Sequence, residues 1–167
     1  LTLLFLCGLV LAYGLSFTSQ FYERYQTGRN VMLGNLELDV STAVALIDPD
    51  GRVLLAQRPE GKSLAGLWEF PGGKVEQSES PEAALIRELK EELGIDTWSS
   101  CLAPLTFASH SYDDFHLLMP LFACRRWEGI ATGREGQTLA WVRPEKLRDY
   151  PMPPADIPLI PILRDWL

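Results

Sequence analysis

A chain of 167 residues, 47% of them hydrophobic and 22% charged, has the size and composition of one globular domain, which excludes a disordered or fibrous protein. Its formal net charge of −7 argues against a nucleic-acid polymer as the main partner, because a phosphate backbone requires a basic surface. A single nucleotide is not excluded, since a divalent cation can carry positive charge to its site. The three cysteines have no CxxC spacing and indicate neither a disulfide framework nor a zinc site.

The first 17 residues are almost wholly apolar and uncharged, and they have three interpretations. They are a short membrane anchor, a signal peptide that lacks the usual positive charge, or a stretch that is not part of the working protein. The last interpretation is favoured and the anchor comes next. We therefore predict an N-terminal segment and linker over residues 1–31, one folded domain over residues 32–167, and a cytoplasmic location, with membrane anchoring through residues 1–17 as the alternative.

Two strands are predicted at the start of the folded domain. Residues 36–48 and 52–57 are rich in Val, Leu and Ile, as is typical of strands. The DPDG sequence at residues 48–51 is a strong turn signal, so the two strands are predicted to form a hairpin. Residues 59–66 are polar and predict a loop.

A helix is predicted over residues 80–93. Ser80 is a suitable N-cap, Pro81 fits the first helical position, and Gly94 is a suitable stop. The apolar side chains of this helix recur every fourth residue and form one stripe: Leu85, Leu89 and Leu93.

The second half of the chain predicts three more strands, at residues 102–109, 116–125 and 138–142. Short helices are predicted at residues 144–149 and 157–167. This order of elements indicates an α/β fold, in which a mixed sheet is covered by helices on both sides.

Three glutamates on the predicted helix are spaced i, i+3 and i+4 and therefore share one face: Glu88, Glu91 and Glu92. Glu79 precedes the helix and can fold back towards them. A solvated acidic surface is the alternative interpretation. Like charges at these spacings destabilise a helix by roughly 0.2–0.5 kcal/mol per pair. A hard divalent cation, which takes oxygen ligands, would offset that repulsion.

The segment over residues 73–95 resembles the Nudix box at each position that defines the box. Those positions are Gly73, Glu79, Arg87-Glu88-Leu89, Glu91-Glu92 and Gly94-Ile95, separated by five, seven, one and one residues. The resemblance implies a Nudix-type α/β/α sandwich with a mixed β-sheet. It also implies Mg²⁺, with Mn²⁺ as an alternative, and hydrolysis of a nucleoside diphosphate linked to another group.

Four further segments are similar to those of MutT-type Nudix enzymes: Gln57-Arg58-Pro59, LWEFPGGK at residues 67–74, GREGQ at 133–137 and PPAD at 153–156. MutT-type enzymes convert oxidised guanine nucleotides such as 8-oxo-dGTP to the monophosphate and pyrophosphate, which keeps damaged bases out of DNA. The implied substrate is a nucleoside triphosphate, and a monomer is expected.

The resemblance implies three groups of site residues. The implied catalytic residues are Arg87, which orients a glutamate, and Glu88, Glu91 and Glu135, one of them a base. The implied metal ligands are the Gly72 carbonyl oxygen and the carboxylates of Glu88, Glu91, Glu92 and Glu135. The implied substrate-binding residues are Arg58 for phosphate, Asp156 for the base edge, and Ser63, Glu69, Phe70, Pro71 and Gly72 around the nucleoside.

Two positions depart from the MutT pattern. Asp156 stands in place of an asparagine, and an ionised carboxylate cannot donate a hydrogen bond to guanine O6 unless it is protonated. Ser63 stands in place of a histidine. These differences keep open a Nudix hydrolase for another nucleotide, such as a pyrimidine triphosphate, NADH or ADP-ribose. A non-catalytic Nudix-like binding module is a third alternative, which the complete set of box carboxylates disfavours.

Overall fold

The computed structural model of the protein describes Met32–Leu33 and residues 36–167, with side chains from residue 37 onward. The predictions for residues 1–31 lie outside the described residues and stay predictions. Within the described part of the chain, every helix is too short or too polar to cross a membrane.

Eight strands form two sheets. The larger sheet contains, in spatial order, β1 (Met32–Leu33), β2 (Leu36–Leu46), β7 (Phe115–Cys124) and β6 (Leu102–Ser111), and β5 (Gly72–Lys74) also pairs with β2. The smaller, antiparallel sheet contains β4 (Trp68–Glu69), β3 (Val53–Gln57) and β8 (Thr138–Val142). Because β2 and β7 run parallel while the other pairs of the larger sheet are antiparallel, the predicted mixed sheet is confirmed.

The predicted hairpin between residues 36–48 and 52–57 is wrong beyond its turn. The turn itself forms, because the Asp48 carboxylate accepts hydrogen bonds from the backbone N–H groups of Asp50 (3.0 Å) and Arg52 (2.8 Å). Ile47 and Val53 then form one isolated antiparallel bridge, after which β2 and β3 enter different sheets. The turn sequence therefore reverses the chain without determining the pairing of the two strands.

Burial on both faces explains why β2 and β3 separate. Alternate residues of these strands face two cores: Ala43, Ala45, Ile47, Val53 and Leu55 face the first, and Val44, Leu46 and Leu54 face the second. Continuous apolar runs of this kind are typical of strands that are covered on both faces.

The two α-helices of the described residues cover the two cores. α1 (Pro81–Glu88) begins at Ser80, whose hydroxyl oxygen accepts a hydrogen bond from the Ala83 N–H at 3.2 Å. The predicted leucine stripe is buried in the second core. α2 (Leu159–Trp166) buries its apolar residues in the first core. Helices on both sides of the sheets confirm the α/β/α sandwich.

The last turn of the predicted helix differs from the prediction. Leu89–Leu93 forms a π turn, and Gly94, with φ of 70°, ends it in the left-handed conformation. The prediction of a regular α-helix as far as Leu93 is therefore wrong. A π turn shifts the hydrogen bonds from i→i+4 to i→i+5, and such turns occur frequently at functional sites. The shift rotates Glu91 and Glu92 relative to Glu88.

Candidate active site

Arg87, in the last turn of α1, contacts three carboxylates. Its guanidinium donates hydrogen bonds to both Glu79 oxygens (3.1 and 3.0 Å), to Glu88 Oε1 (2.8 Å) and to Glu91 Oε2 (3.3 Å). It also donates to the Lys74 carbonyl oxygen at 3.2 Å. These hydrogen bonds raise the pKa of Arg87 and lower the pKa of Glu79. The loop before α1 and the end of α1 are thereby held together.

The Glu88 carboxyl group lies directly against the backbone of Gly73. A Cβ atom at residue 73 would overlap this carboxyl group, and a Cβ at residue 72 would overlap the backbone of Thr42 on β2. Glycine at both positions therefore lets β5 pass between β2 and α1. Glu88 is also largely shielded from solvent, with 16% of its side chain exposed. Its position is fixed by close packing as well as by Arg87.

Glu92 is the box glutamate that lines a cleft. Burial raises its pKa to about 7, and the negative charges of Glu88, Glu135 and Glu69 add to the shift. Glu91, by contrast, has 58% of its side chain exposed. The π turn thus gives two neighbouring glutamates different surroundings.

Glu135 is brought to this region by a loop that is attached to the end of the π turn. The Thr132 N–H donates to the Leu93 carbonyl oxygen (3.0 Å), and the Arg134 N–H donates to the Glu92 carbonyl oxygen (2.9 Å). The Arg134 guanidinium donates to the Lys90 carbonyl oxygen at 3.2 Å. The Glu135 carboxylate lies 2.5 Å from the Lys62 ammonium group, which belongs to the loop between β3 and β4.

The cleft has a volume of about 700 Å³ and joins these acidic groups to a buried pocket. Eight predicted site residues line it: Arg58, Ser63, Glu69, Phe70, Pro71, Gly72, Glu92 and Asp156. The other four, Arg87, Glu88, Glu91 and Glu135, are not among its lining residues in the described part of the chain. The strand faces of β2 and β7 contribute further walls, including Ser41, Leu117 and Met119.

At the far end of the cleft, Asp156 is buried, with 5% of its surface exposed. Burial and the nearby charge of Glu69 raise its pKa to about 7, although a backbone hydrogen bond from Phe70 and the charge of Arg58 act in the opposite direction. Burial also raises the pKa of Glu69, whose carboxylate lies 2.5 Å from the Arg58 guanidinium. Tyr112 completes this end, and burial and the Asp156 charge raise its pKa.

A scan against protein-family models places residues 42–161 in the NUDIX domain model. The chain belongs to the NUDIX family. The CTP pyrophosphohydrolase of Escherichia coli K12 is 43% identical to this Nudix protein over 123 residues, covering 72% of this chain and 88% of the relative. The 8-oxo-dGTP diphosphatase of the same strain is 34% identical over 123 residues, covering 73% and 94%.

A solved MutT structure, from a study of Aliivibrio salmonicida and Vibrio cholerae, matches with a TM-score of 0.67 and 31% identity. The match covers 78% of this chain and all of the MutT chain. The chain is therefore a Nudix hydrolase of MutT type, with the α/β fold predicted from its sequence.

Nudix hydrolases use divalent metal ions, and carboxylate and carbonyl oxygen atoms, which are present at Glu88, Glu92 and Gly72, are the ligands that hard cations take. The Glu88 carboxyl group fills the space that the missing side chain of Gly73 leaves. Glu92 is largely buried near other carboxylates, and a cation bound there would relieve the excess negative charge. Among the residues whose side chains are described, no three acidic, His or Cys side chains form a ready-made metal site. The ligand set stays a prediction.

Lys62 and Tyr112 are among the cleft residues that sequence reasoning missed. Lys62 lies four residues after Arg58 in the same loop, so its proximity to the predicted phosphate-binding residue was available as a signal. Tyr112, in the turn between β6 and β7, had no signal, because its contact with the Pro153–Asp156 region depends on the fold.

Proposed function

We propose that this Nudix hydrolase cleaves oxidised purine nucleoside triphosphates, represented by 8-oxo-dGTP, to the monophosphate and pyrophosphate. One observation carries the proposal: a single cleft is lined both by Gly72 and Glu92, which are proposed metal ligands, and by the buried Asp156, which is proposed to contact the base. A volume of about 700 Å³ is in the range of small-molecule sites. The similarity to an 8-oxo-dGTP diphosphatase supports the reaction. Such an activity would keep damaged bases out of replicated DNA.

At the phosphate end, the proposed ligands of Mg²⁺, or of Mn²⁺, are the Gly72 carbonyl oxygen and the carboxylates of Glu88, Glu91, Glu92 and Glu135. A cation bound there would neutralise phosphate charge and lower the pKa of a water molecule. Arg87 holds Glu88 in place, and Arg58, which lines the cleft and pairs with Glu69, is the proposed phosphate-binding residue. A carboxylate of this group would accept the proton when water attacks one of the two phosphorus atoms of the α–β bridge and the bond between that phosphorus and the bridging oxygen breaks, which gives the monophosphate and pyrophosphate.

At the base end, the pKa of about 7 allows Asp156 to be protonated in part of the molecules near neutral pH. The protonated carboxyl group donates a hydrogen bond to a guanine O6, as an asparagine amide would. The buried Phe70 provides an apolar wall beside it. The replacement of asparagine by aspartate is therefore compatible with an oxidised guanine.

A pyrimidine triphosphate is the second candidate substrate. Ionised Asp156 and Glu69 would accept hydrogen bonds from an exocyclic amine such as the N4 group of cytosine. The 43% identity to a CTP pyrophosphohydrolase supports this candidate.

A substrate panel tests the two candidates. Purified protein is incubated with Mg²⁺ and 8-oxo-dGTP, dGTP, dATP, CTP or dCTP, and released pyrophosphate is measured. We expect the highest kcat/KM with 8-oxo-dGTP. A preference for CTP or dCTP would replace the first candidate by the second, and hydrolysis of none of the nucleotides would contradict both.

We also propose that the enzyme is a cytoplasmic monomer. Sedimentation analysis of the purified protein and fractionation of cells would test the two statements.

A further inference from the structure

Lys62 and Glu135 connect two loops at the rim of the cleft. Lys62 Nζ lies 2.5 Å from Glu135 Oε2, across 73 residues of sequence. The backbone of the Glu135 loop is fixed by its hydrogen bonds to the π turn, and the Glu135 N–H also donates to Gln137 Oε1 at 2.8 Å. The Lys62 side chain is 48% exposed and flexible by nature, so it is the partner that can move.

The charges around this pair are unbalanced. Six acidic and three basic residues line the cleft, so the surroundings of Lys62 carry an excess of negative charge: Glu37, Asp39, Glu69, Glu92, Asp114 and Asp156 against Arg58, Lys62 and Lys74. Lys62 interacts electrostatically with Glu92 as well as with Glu135. Its ammonium group therefore supplies positive charge beside two of the proposed ligands, Glu135 and Glu92.

We propose that Lys62 is a phosphate-binding residue that pairs with Glu135 in the free enzyme and exchanges this partner for the substrate's phosphates when a divalent cation binds. The proposal rests on the proposed function, because Glu135 is a proposed metal ligand. A cation held by Glu135 would take the place of Lys62 as its counter-ion, and its charge would repel the ammonium group. Lys62 lies in the same loop as Arg58, near enough to interact with its charge, and both line the cleft, so the released side chain would be available to a phosphate beside Arg58.

The proposal requires Lys62→Met to change two affinities in opposite directions. Without nucleotide, loss of the competing ammonium group should strengthen Mn²⁺ binding, measured by calorimetry, by about 2- to 5-fold, which corresponds to the loss of an exposed ion pair. With Mn²⁺ present, the affinity for inorganic tripolyphosphate should fall by about 10-fold or more, which corresponds to the loss of a charge-assisted hydrogen bond.

Lys90→Met is the matched control. Lys90 also forms an exposed ion pair of 2.5 Å, with Asp96, and it lies outside the cleft lining, so the variant removes the same charge without altering Lys62. Both affinities of this variant should equal those of the unchanged protein. Lys62→Arg, which retains the charge, should keep the tripolyphosphate affinity within about 3-fold and serves as the second variant if Lys62→Met fails to fold.

Failure of the Lys62 proposal can be distinguished from failure of the proposed function. Tripolyphosphate has no base and the Mn²⁺ titration contains no nucleotide, so neither measurement depends on which base the enzyme prefers. If the unchanged protein binds both probes but Lys62→Met binds them with unchanged affinities, or if both affinities fall together, the partner exchange is overturned. If the unchanged protein binds neither probe, the proposed function is overturned with it.

Discussion

The phosphate end and the base end of the cleft position their carboxyl groups by different means. At the phosphate end, Arg87 contacts Glu79, Glu88 and Glu91, and the Gly73 backbone packs against Glu88. At the base end, the buried Asp156 lies near the partly exposed Glu69, which pairs with Arg58, and both carboxyl groups have raised pKa values. Glu92 at the phosphate end also has a pKa of about 7. The contrast therefore lies between Glu79 and Glu88, which Arg87 and close packing hold in place, and Asp156, which burial keeps partly protonated.

This difference indicates a division of function within one cleft. The hydrogen bonds from Arg87 lower the pKa of Glu79, so this carboxylate keeps its charge across the physiological pH range, which suits a reaction that every substrate shares. A carboxyl group that titrates near pH 7 changes its hydrogen-bonding character, which suits the choice among bases. Four variants test whether the two ends are in fact separable.

The largest effect is expected from Glu88→Gln. The substitution keeps the shape of the side chain but removes the charge that binds the cation and pairs with Arg87, so kcat should fall by about 10²–10⁴-fold. Pyrophosphate release measures the loss. Glu82→Gln, on the first turn of the same helix, is the control and should retain full activity. Comparable rates for Glu88→Gln and the unchanged protein would contradict the assignment of the phosphate end.

Gly73→Ala should have the next largest effect. Its Cβ atom would overlap the Glu88 carboxyl group and displace it, and a displacement of about 1 Å can reduce a rate by roughly 10²-fold. The loss should appear in kcat and in Mn²⁺ affinity. If activity persists while the melting temperature falls, the close packing at Gly73 would be needed for stability and not for catalysis.

Asp156→Asn tests the base end through its dependence on pH. Because the folded protein raises the pKa of Asp156 from 3.8 to about 7, this carboxyl group stabilises the fold when protonated at low pH, and the contribution is lost as pH rises towards 7. The stability of Asp156→Asn relative to the unchanged protein should therefore be greater at pH 8 than at pH 5, by on the order of 2 kcal/mol.

Urea denaturation at the two pH values, with a chelator present, measures this difference. The kcat/KM of the unchanged enzyme for 8-oxo-dGTP should also fall relative to that of Asp156→Asn as pH rises through about 7, since the ionised form cannot donate to O6. Parallel pH profiles for the two proteins would show that Asp156 does not titrate in this range.

Arg134→Ala should have the smallest effect. It removes the side-chain hydrogen bond to the Lys90 carbonyl oxygen but keeps the backbone hydrogen bond to Glu92. We expect the Mg²⁺ concentration for half-maximal activity to rise about 2- to 5-fold, because an exposed hydrogen bond contributes on the order of 0.5–1 kcal/mol. An increase of 10²-fold or more would mean that the position of Glu135 depends mainly on this guanidinium.

The helix that carries the box could be predicted from sequence because its signals are local. Ser80, the leucine stripe and Gly94 all lie within 15 consecutive residues, and the structure confirms each of them. The π turn was not predicted, because leucines at every fourth residue are equally compatible with an α-helix. The hairpin prediction failed for a related reason: a turn and two apolar runs do not reveal that both faces of each strand will be buried.

The features of the site also divide into those that the sequence predicts and those that depend on the fold. Most of the predicted substrate-binding residues lie within residues 58–72 and line the cleft together. The contact between Lys62 and Glu135 and the raised pKa of Asp156 could not be predicted, because they depend on groups that the fold brings together from distant parts of the chain.

The attachment of the Glu135 loop has a consequence for the divergence of this enzyme. The acceptors that hold the loop are main-chain oxygen atoms at positions 90, 92 and 93, so they persist when the side chains at those positions are exchanged. Helix surface and loop can therefore accumulate substitutions independently of each other. A change in the number of residues within the π turn or within the Glu135 loop, in contrast, would shift donors and acceptors out of register, and we expect insertions and deletions in these two segments to be far less tolerated than replacements.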